Sequence, residues 1–128
     1  MNAIIAHAEA EHPYVACGIV AGPLDLDRPE RFIPVRNAQR SKTFFMFDPM
    51  VQVRVWQEMD DRGEEPVVIY FSHTATEAFP SRNEVDFAAE PAAHYVIVST
   101  RNQQAPEARS FRITAGQVTE EPIHLLPD

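Results

Sequence analysis

Residues 70–86 read YFSHTATEAFPSRNEVD, and this passage decides how the rest of the chain is organised. It continues a run, VVIYFS at residues 67–72, that is unbroken in apolar, β-branched and aromatic side chains, the signature of a strand buried on both faces at the centre of a sheet. Residues 73–80, HTATEAFP, are too polar and irregular to continue it and read as a loop. Ser81 followed three positions later by Glu84 and then by VDFAA is the pattern of a capping box, so a short helix is expected from Ser81 through Ala89, ended by Pro91. A loop that leaves a core strand and enters a helix is where functional side chains collect. His73, Ser81 and Glu84 are the residues of this passage with usable chemistry.

Working outward, Asp48 is placed to cap a helix that opens with Pro49 and carries Met50, Val51, Val53, Trp56 and Met59, with Trp56 and the methionines expected in the core from their helical spacing. Glu64-Glu65-Pro66 breaks that pattern ahead of the central strand. Toward the N-terminus, residues 1–11 form a short amphipathic helix stopped by Pro13, and residues 15–21 an apolar strand ended by Gly22-Pro23. Residues 31–36 and 43–47 are two short β-rich segments separated by a polar stretch, and residues 95–100 are another strand. The tail alternates about Ala115-Gly116 and is expected to form a hairpin. Helices interleaved with strands give an α/β (α+β) fold, a mixed sheet flanked by helices, in one domain spanning residues 1–128.

Composition narrows the function classes. The chain has 128 residues, 45% apolar and 23% charged, enough to bury roughly two-thirds of its unfolded surface. A net charge of −8 opposes a phosphate backbone, and no Lys/Arg cluster stands out along the sequence, so nucleic acid is not an expected partner. Cys17 is the only cysteine, which excludes an internal disulfide and a cysteine-based zinc knuckle. With no signal-peptide pattern and no membrane-length apolar run, a cytoplasmic location away from the membrane is expected.

The spacing of His73, Ser81 and Glu84 resembles the JAMM/MPN metallopeptidase motif, a distant Glu followed by H-x-H, seven residues and S-x-x-D. His73 falls on the second histidine, Ser81 on the serine and Glu84 on the aspartate. The segment HPYVACGIVAGP is similar to the family's HPxEACGxxxG, while RPERFIP, PVVIY, SHT, AFPSR, HYVIVSTR and VTEEP resemble its bacterial sulfur-carrier branch. The resemblance implies a single JAMM/MPN domain of cytidine-deaminase-like architecture. It also implies zinc isopeptidase ancestry, with a ubiquitin-like sulfur carrier protein, presented through its C-terminal tail, as the partner.

The departures from the motif fall on its chemistry. Aligned on the family, the catalytic glutamate position holds Val15 and the first zinc-histidine position holds Phe71, neither of which offers a metal ligand or a base. Catalytic zinc uses three protein ligands and an open position, whereas this pocket retains His73 and Glu84 as residual candidates. Loss of a supporting partner alone lowers metal affinity ~10–100-fold, and loss of a general base costs about 10² to 10⁴ in rate. No zinc or other cofactor is therefore expected.

Each residue also has a structural reading. Ser81 and Glu84 satisfy a helix end, His73 is a hydrogen-bonded histidine at a strand end, and Val15 and Phe71 fill the former metal cavity. His7 and His12, five apart, lack ligand spacing and belong to packing or surface, His94 to structure, and Cys17 to an inert core position. The expected protein is a pseudo-isopeptidase that recognises a sulfur carrier. One alternative is an enzyme of altered, non-zinc chemistry acting in a carrier-protein or specialised-metabolite pathway, for which a Ser81–His73–Glu84 relay would need His73 to bridge the other two. The other is a zinc peptidase with a modified ligand set.

Overall fold

A computed structural model describes residues 1–124. Helix α1 spans Asn2–Glu11, strand β1 Cys17–Pro23, β2 Arg31–Val35, helix α2 Pro49–Arg62, β3 Glu64–His73, helix α3 Arg82–Phe87, β4 His94–Ser99, β5 Glu107–Thr114 and β6 Gln117–Glu121. Six strands form one sheet in the order β2-β1-β3-β4-β5-β6. β3 and β4 pair parallel, with His73 opposite Ser99, and every other pair is antiparallel. The fold class is the mixed, helix-flanked sheet expected from the sequence.

Period-two alternation sorts the central strands between two apolar layers. Cys17, Ile19, Ile69, Phe71, Tyr95 and Ile97 face one side, where Val55 and Met59 of α2 cover them. Val68, Tyr70, Val96 and Val98 face the other, covered by Ile4 and Ala8 of α1. Gly18 lies beneath the ring of Tyr70, where any Cβ would collide with it. α2 is stopped by Gly63 in the left-handed region at φ +67°. It is started by Asp48, whose side chain accepts from the amides of Met50 and Val51, a cap worth ~1 kcal/mol.

Several local expectations are corrected. Residues 43–47 are not a sheet strand: they form the return limb of a hairpin that meets its outgoing limb in one bridge, Asn37 with Phe47. The Asn37 side chain replaces the ladder, accepting from the amides of Gln39 and Met46 and donating to the carbonyl of Phe44. Pro66 does not interrupt β3. It pairs with Ala21 where the β1 register shifts between Val20 and Ala21, and such an irregularity accommodates a residue without an N–H. β1 begins at Cys17, two residues later than expected. α3 ends at Phe87 rather than Ala89, with Ala88 extended at ψ 114°, because Pro91 biases the residue before it away from helix and the chain unwinds ahead of it. Met50 and Val53 point outward, 84% and 60% exposed, since α2 docks along Val51, Val55 and Met59. The tail does form a hairpin, β5–β6, turning at Ala115-Gly116. Its last apolar residues, Leu125 and Leu126, lie outside the described residues.

Candidate functional site

The site lies at the carboxyl ends of the parallel pair β3–β4, where the chain leaves β3 for α3; in open sheets the crevice outside strand carboxyl ends is a favoured place for ligands. Register brings the sequence-distant positions together. Cys17 pairs with Phe71, Ser72 N donates to Ala16 O at 3.0 Å, and Ala16 N donates to Ser72 Oγ at 2.8 Å. Val15, two residues ahead of β1, therefore lies beside His73, the last residue of β3, on the α2 face.

Phe71 is 2% exposed and its ring stacks on Phe45, centroids 4.7 Å apart. Val15 is buried in the same apolar cluster. His73 Nε2 lies 2.8 and 2.9 Å from the two carboxylate oxygens of Glu84, and His73 Nδ1 lies 2.8 Å from the backbone carbonyl of Glu77. A carbonyl and a carboxylate only accept, so both ring nitrogens donate and His73 is an imidazolium. Burial works against that charge, yet the hydrogen bonds to Glu84 and Glu77, with the Glu84 charge, raise His73 above its ordinary value. Both side chains of the pair are largely shielded from water.

Ser81 and Glu84 form the expected capping box, Glu84 N donating to Ser81 Oγ at 3.3 Å and Ser81 N to Glu84 Oε1 at 2.7 Å. Glu84 thus serves both the helix end and His73. No hydrogen bond joins Ser81 Oγ to His73 among the described residues, and an imidazolium is no base, so the Ser81–His73–Glu84 relay is not assembled. Of the bridge that such a relay would need, only the His73–Glu84 half is formed.

A catalytic zinc requires three ligands with free lone pairs. Here His73 and Glu84 are the only two donors at the motif positions, and Phe71 and Val15 supply none. Among the described residues no three His, Cys, Asp or Glu side chains gather to hold one metal ion. This donor set does not fit a zinc.

Beside the pair, the hairpin limb 43–47, Trp56 and Phe71 enclose with residues 81–90 a cavity of about 320 Å³, walled by Phe44, Phe45, Phe87 and Tyr95 and edged by Ser81, Asn83 and Glu84. The remaining sequence candidates are structural. His7 Nδ1 meets the Tyr70 hydroxyl at 2.7 Å, His12 meets Thr100, and His94 sits between Asp27 and Glu121. Cys17 is fully buried with its thiol pushed up to about 12 by burial, which makes it inert. No helix among the described residues is long and apolar enough to cross a membrane.

Residues 1–114 match the family of prokaryotic homologs of the JAB domain. The chain is 56% identical over 126 residues to the CysO-cysteine peptidase of Mycobacterium tuberculosis, covering 98% of this chain and 86% of that one. Among solved structures it is similar to a protein from Desulfitobacterium hafniense, with 34% identity and a TM-score of 0.84, over 100% of this chain and 89% of that one. A JAB1/MPN domain protein from Archaeoglobus fulgidus, 16% identical, shares the fold with a TM-score of 0.56 over 93% of this chain and 88% of that one. The chain belongs to the prokaryotic JAB family, as the H-x-H and S-x-x-D resemblance implied.

Proposed function

From that membership, we propose that the whole chain, residues 1–128, is a catalytically degenerate JAB domain that recognises a ubiquitin-like sulfur carrier through its C-terminal tail and does not cleave it. The observation that carries this reading is the burial of Phe71, stacked on Phe45, and of Val15 at the positions where the motif places a zinc histidine and the base. His73 and Glu84, the two positions that still match zinc ligands, are left without a third donor. The similarity to the CysO-cysteine peptidase supports the partner class. Tail recognition by added backbone pairing needs none of the lost side chains, because its affinity comes from main-chain hydrogen bonds. A cytoplasmic location is part of the same proposal.

The test is metal analysis of the purified protein combined with calorimetric titration of sulfur carriers encoded beside its gene, each with and without its terminal Gly-Gly. The expected result is negligible zinc, a melting temperature unmoved by chelator, and tail-dependent binding of an uncleaved carrier. Zinc near one per chain, or cleavage of a carrier–cysteine adduct, overturns the reading. A second reading, an enzyme of altered, non-zinc chemistry, is favoured by the aromatic cavity, whose ~320 Å³ falls in the size class of small-molecule sites. Turnover abolished by His73→Ala with the fold intact would select it.

A further inference from the structure

The sequence from 31 to 47 contains no Asp or Glu and carries Arg31, Arg36, Arg40 and Lys42, in a chain of net charge −8. Arg31 pairs with Glu64. Arg36, Arg40 and Lys42 are exposed and, like Arg54, Arg62 and Arg101 elsewhere on the molecule, enter no ion pair among the described residues, whereas Arg28, Arg82, Arg109 and Arg112 do. Spacings of four and two hide this group from a one-dimensional search for cationic runs; all three sit on the hairpin that spans residues 36–48, with Arg36 and Arg40 lining one cleft.

That hairpin is fixed in place. Asp48 N donates to Arg36 O at 3.0 Å and Ala38 N to Met46 O at 2.8 Å, and Asn37 braces the interior and donates to Val15 O at 3.1 Å. Its tip is tied to the candidate site on both sides: Val15 N donates to Ser41 O at 2.8 Å, and Thr74 Oγ1 to Lys42 O at 2.7 Å. Arg40, in the left-handed region at φ +42°, lays its guanidinium 4.9 Å over the ring of Tyr14. Beneath it lies a polar cleft of about 330 Å³ lined by Arg36, Arg40, Tyr14, Asn37, His7 and Glu11. Glu11 is its only acid. It lies 3.8 Å from His7 and forms no ion pair with Arg36 or Arg40 among the described residues.

We propose that this hairpin is a preorganised cationic clamp that docks an acidic protein surface, engaging carboxylates through Arg36, Arg40 and Lys42 at the mouth of the site. The occupant is a protein and not a nucleic acid, because three cations on a strongly acidic molecule steer a local carboxylate cluster while the remaining field repels a long polyanion. Guanidiniums suit carboxylates by forked pairing. The partner's identity as a sulfur carrier rests on the reading under Proposed function; the clamp does not.

The experiment measures association kinetics of the carriers encoded beside the gene with the wild-type chain and with Arg36→Glu/Arg40→Glu. Association is expected to slow about tenfold and to lose its acceleration at low ionic strength, with thermal melting unchanged. Should the reversal variant not fold, Arg36→Gln/Arg40→Gln carries the same test with a smaller slowing. Equal rates and equal salt dependence overturn the clamp while leaving carrier recognition standing. If no carrier binds, carrier recognition fails and a hexaglutamate peptide decides the clamp: amide resonances of residues 36–42 shift in the wild type and not in the variant, and absence of that shift overturns it. Larger shifts with an oligothymidylate than with hexaglutamate overturn the assignment to an acidic protein.

Discussion

His73 and His7 lie on opposite sides of the same sheet, each partly buried and each hydrogen-bonded to a neighbouring element, yet they differ in charge state. His73 meets the carboxylate of Glu84 and the carbonyl of Glu77, partners that demand protons on both nitrogens. His7 meets the Tyr70 hydroxyl, which accepts or donates as required, so burial has the larger say and lowers it despite Glu11 nearby. Burial disfavours the cation at both places. The partner decides whether that penalty is overcome. At the site end the outcome is a charged histidine held by a carboxylate, and on the α1 side a neutral one held by a hydroxyl.

The largest expected effect comes from breaking the His73 side of the comparison. Val15→Glu/Phe71→His/Glu84→Asp restores a base and a third donor at register positions that already lie together, and shortens the carboxylate so that it no longer spans to Nε2. Zinc affinity should then exceed that of the parent by more than ~100-fold. Calorimetric titration with zinc reads it directly. A folded triple variant that binds zinc no better than the parent would show that the stacked Phe45 holds the cavity shut, or that these positions do not correspond to the family's ligands.

Pairing is also visible in the pH dependence of stability, where the two histidines pull in opposite directions. The folded His73 holds its proton more tightly than the ordinary value of 6.5. Its contribution is therefore full below about 6.5 and lost as pH climbs through the raised folded value. His7 is depressed from the same 6.5, so the unfolded chain gains a proton that the folded one resists, and stability erodes as pH falls below 6.5. Glu84→Gln should flatten the alkaline limb and destabilise by about 2 kcal/mol, less than the loss typical of a broken buried pair because His73 can shed its proton. Urea denaturation between pH 5 and about 9 tests both limbs. An alkaline limb unchanged in Glu84→Gln contradicts the charged pair.

Legibility from sequence followed the range of the interaction. The capping box of Ser81 and Glu84 was readable because its two bonds close within one helical turn, and the Val15–Phe71–His73 neighbourhood because the family motif carries it. The His73–Glu84 bond was not, since it depends on how loop 74–80 folds back. That path is set by Ser99 Oγ donating to Thr76 O and Glu107 accepting from Ala78 N, contacts with strands far along the chain. Residues 43–47 looked like a strand because FFMF has strand composition; the side chain of Asn37 took the backbone groups a neighbouring strand would have used. On α2 the sequence offers two apolar stripes, one through Met50 and Val53 and one through Val51, Val55 and Met59. Only docking on the sheet chooses between them.

The smallest effect sharpens the His7 side by separating burial from hydrogen bonding. Tyr70→Phe removes the hydroxyl and leaves the ring, which still stacks on Phe32, centroids 5.7 Å apart, and still covers Gly18. The loss should be about 1 kcal/mol, the net worth of one neutral hydrogen bond, because half-buried His7 can turn its free nitrogen toward water. Burial is the leading cause of the His7 shift and the phenyl ring keeps it, so the imidazole should still titrate below 6.5 in the variant. Carbon-bound proton resonances of His7 followed against pH report this directly. Were the variant to return His7 to its ordinary value, the hydroxyl and not burial would hold it neutral, and both histidines would then owe their charge to a partner alone.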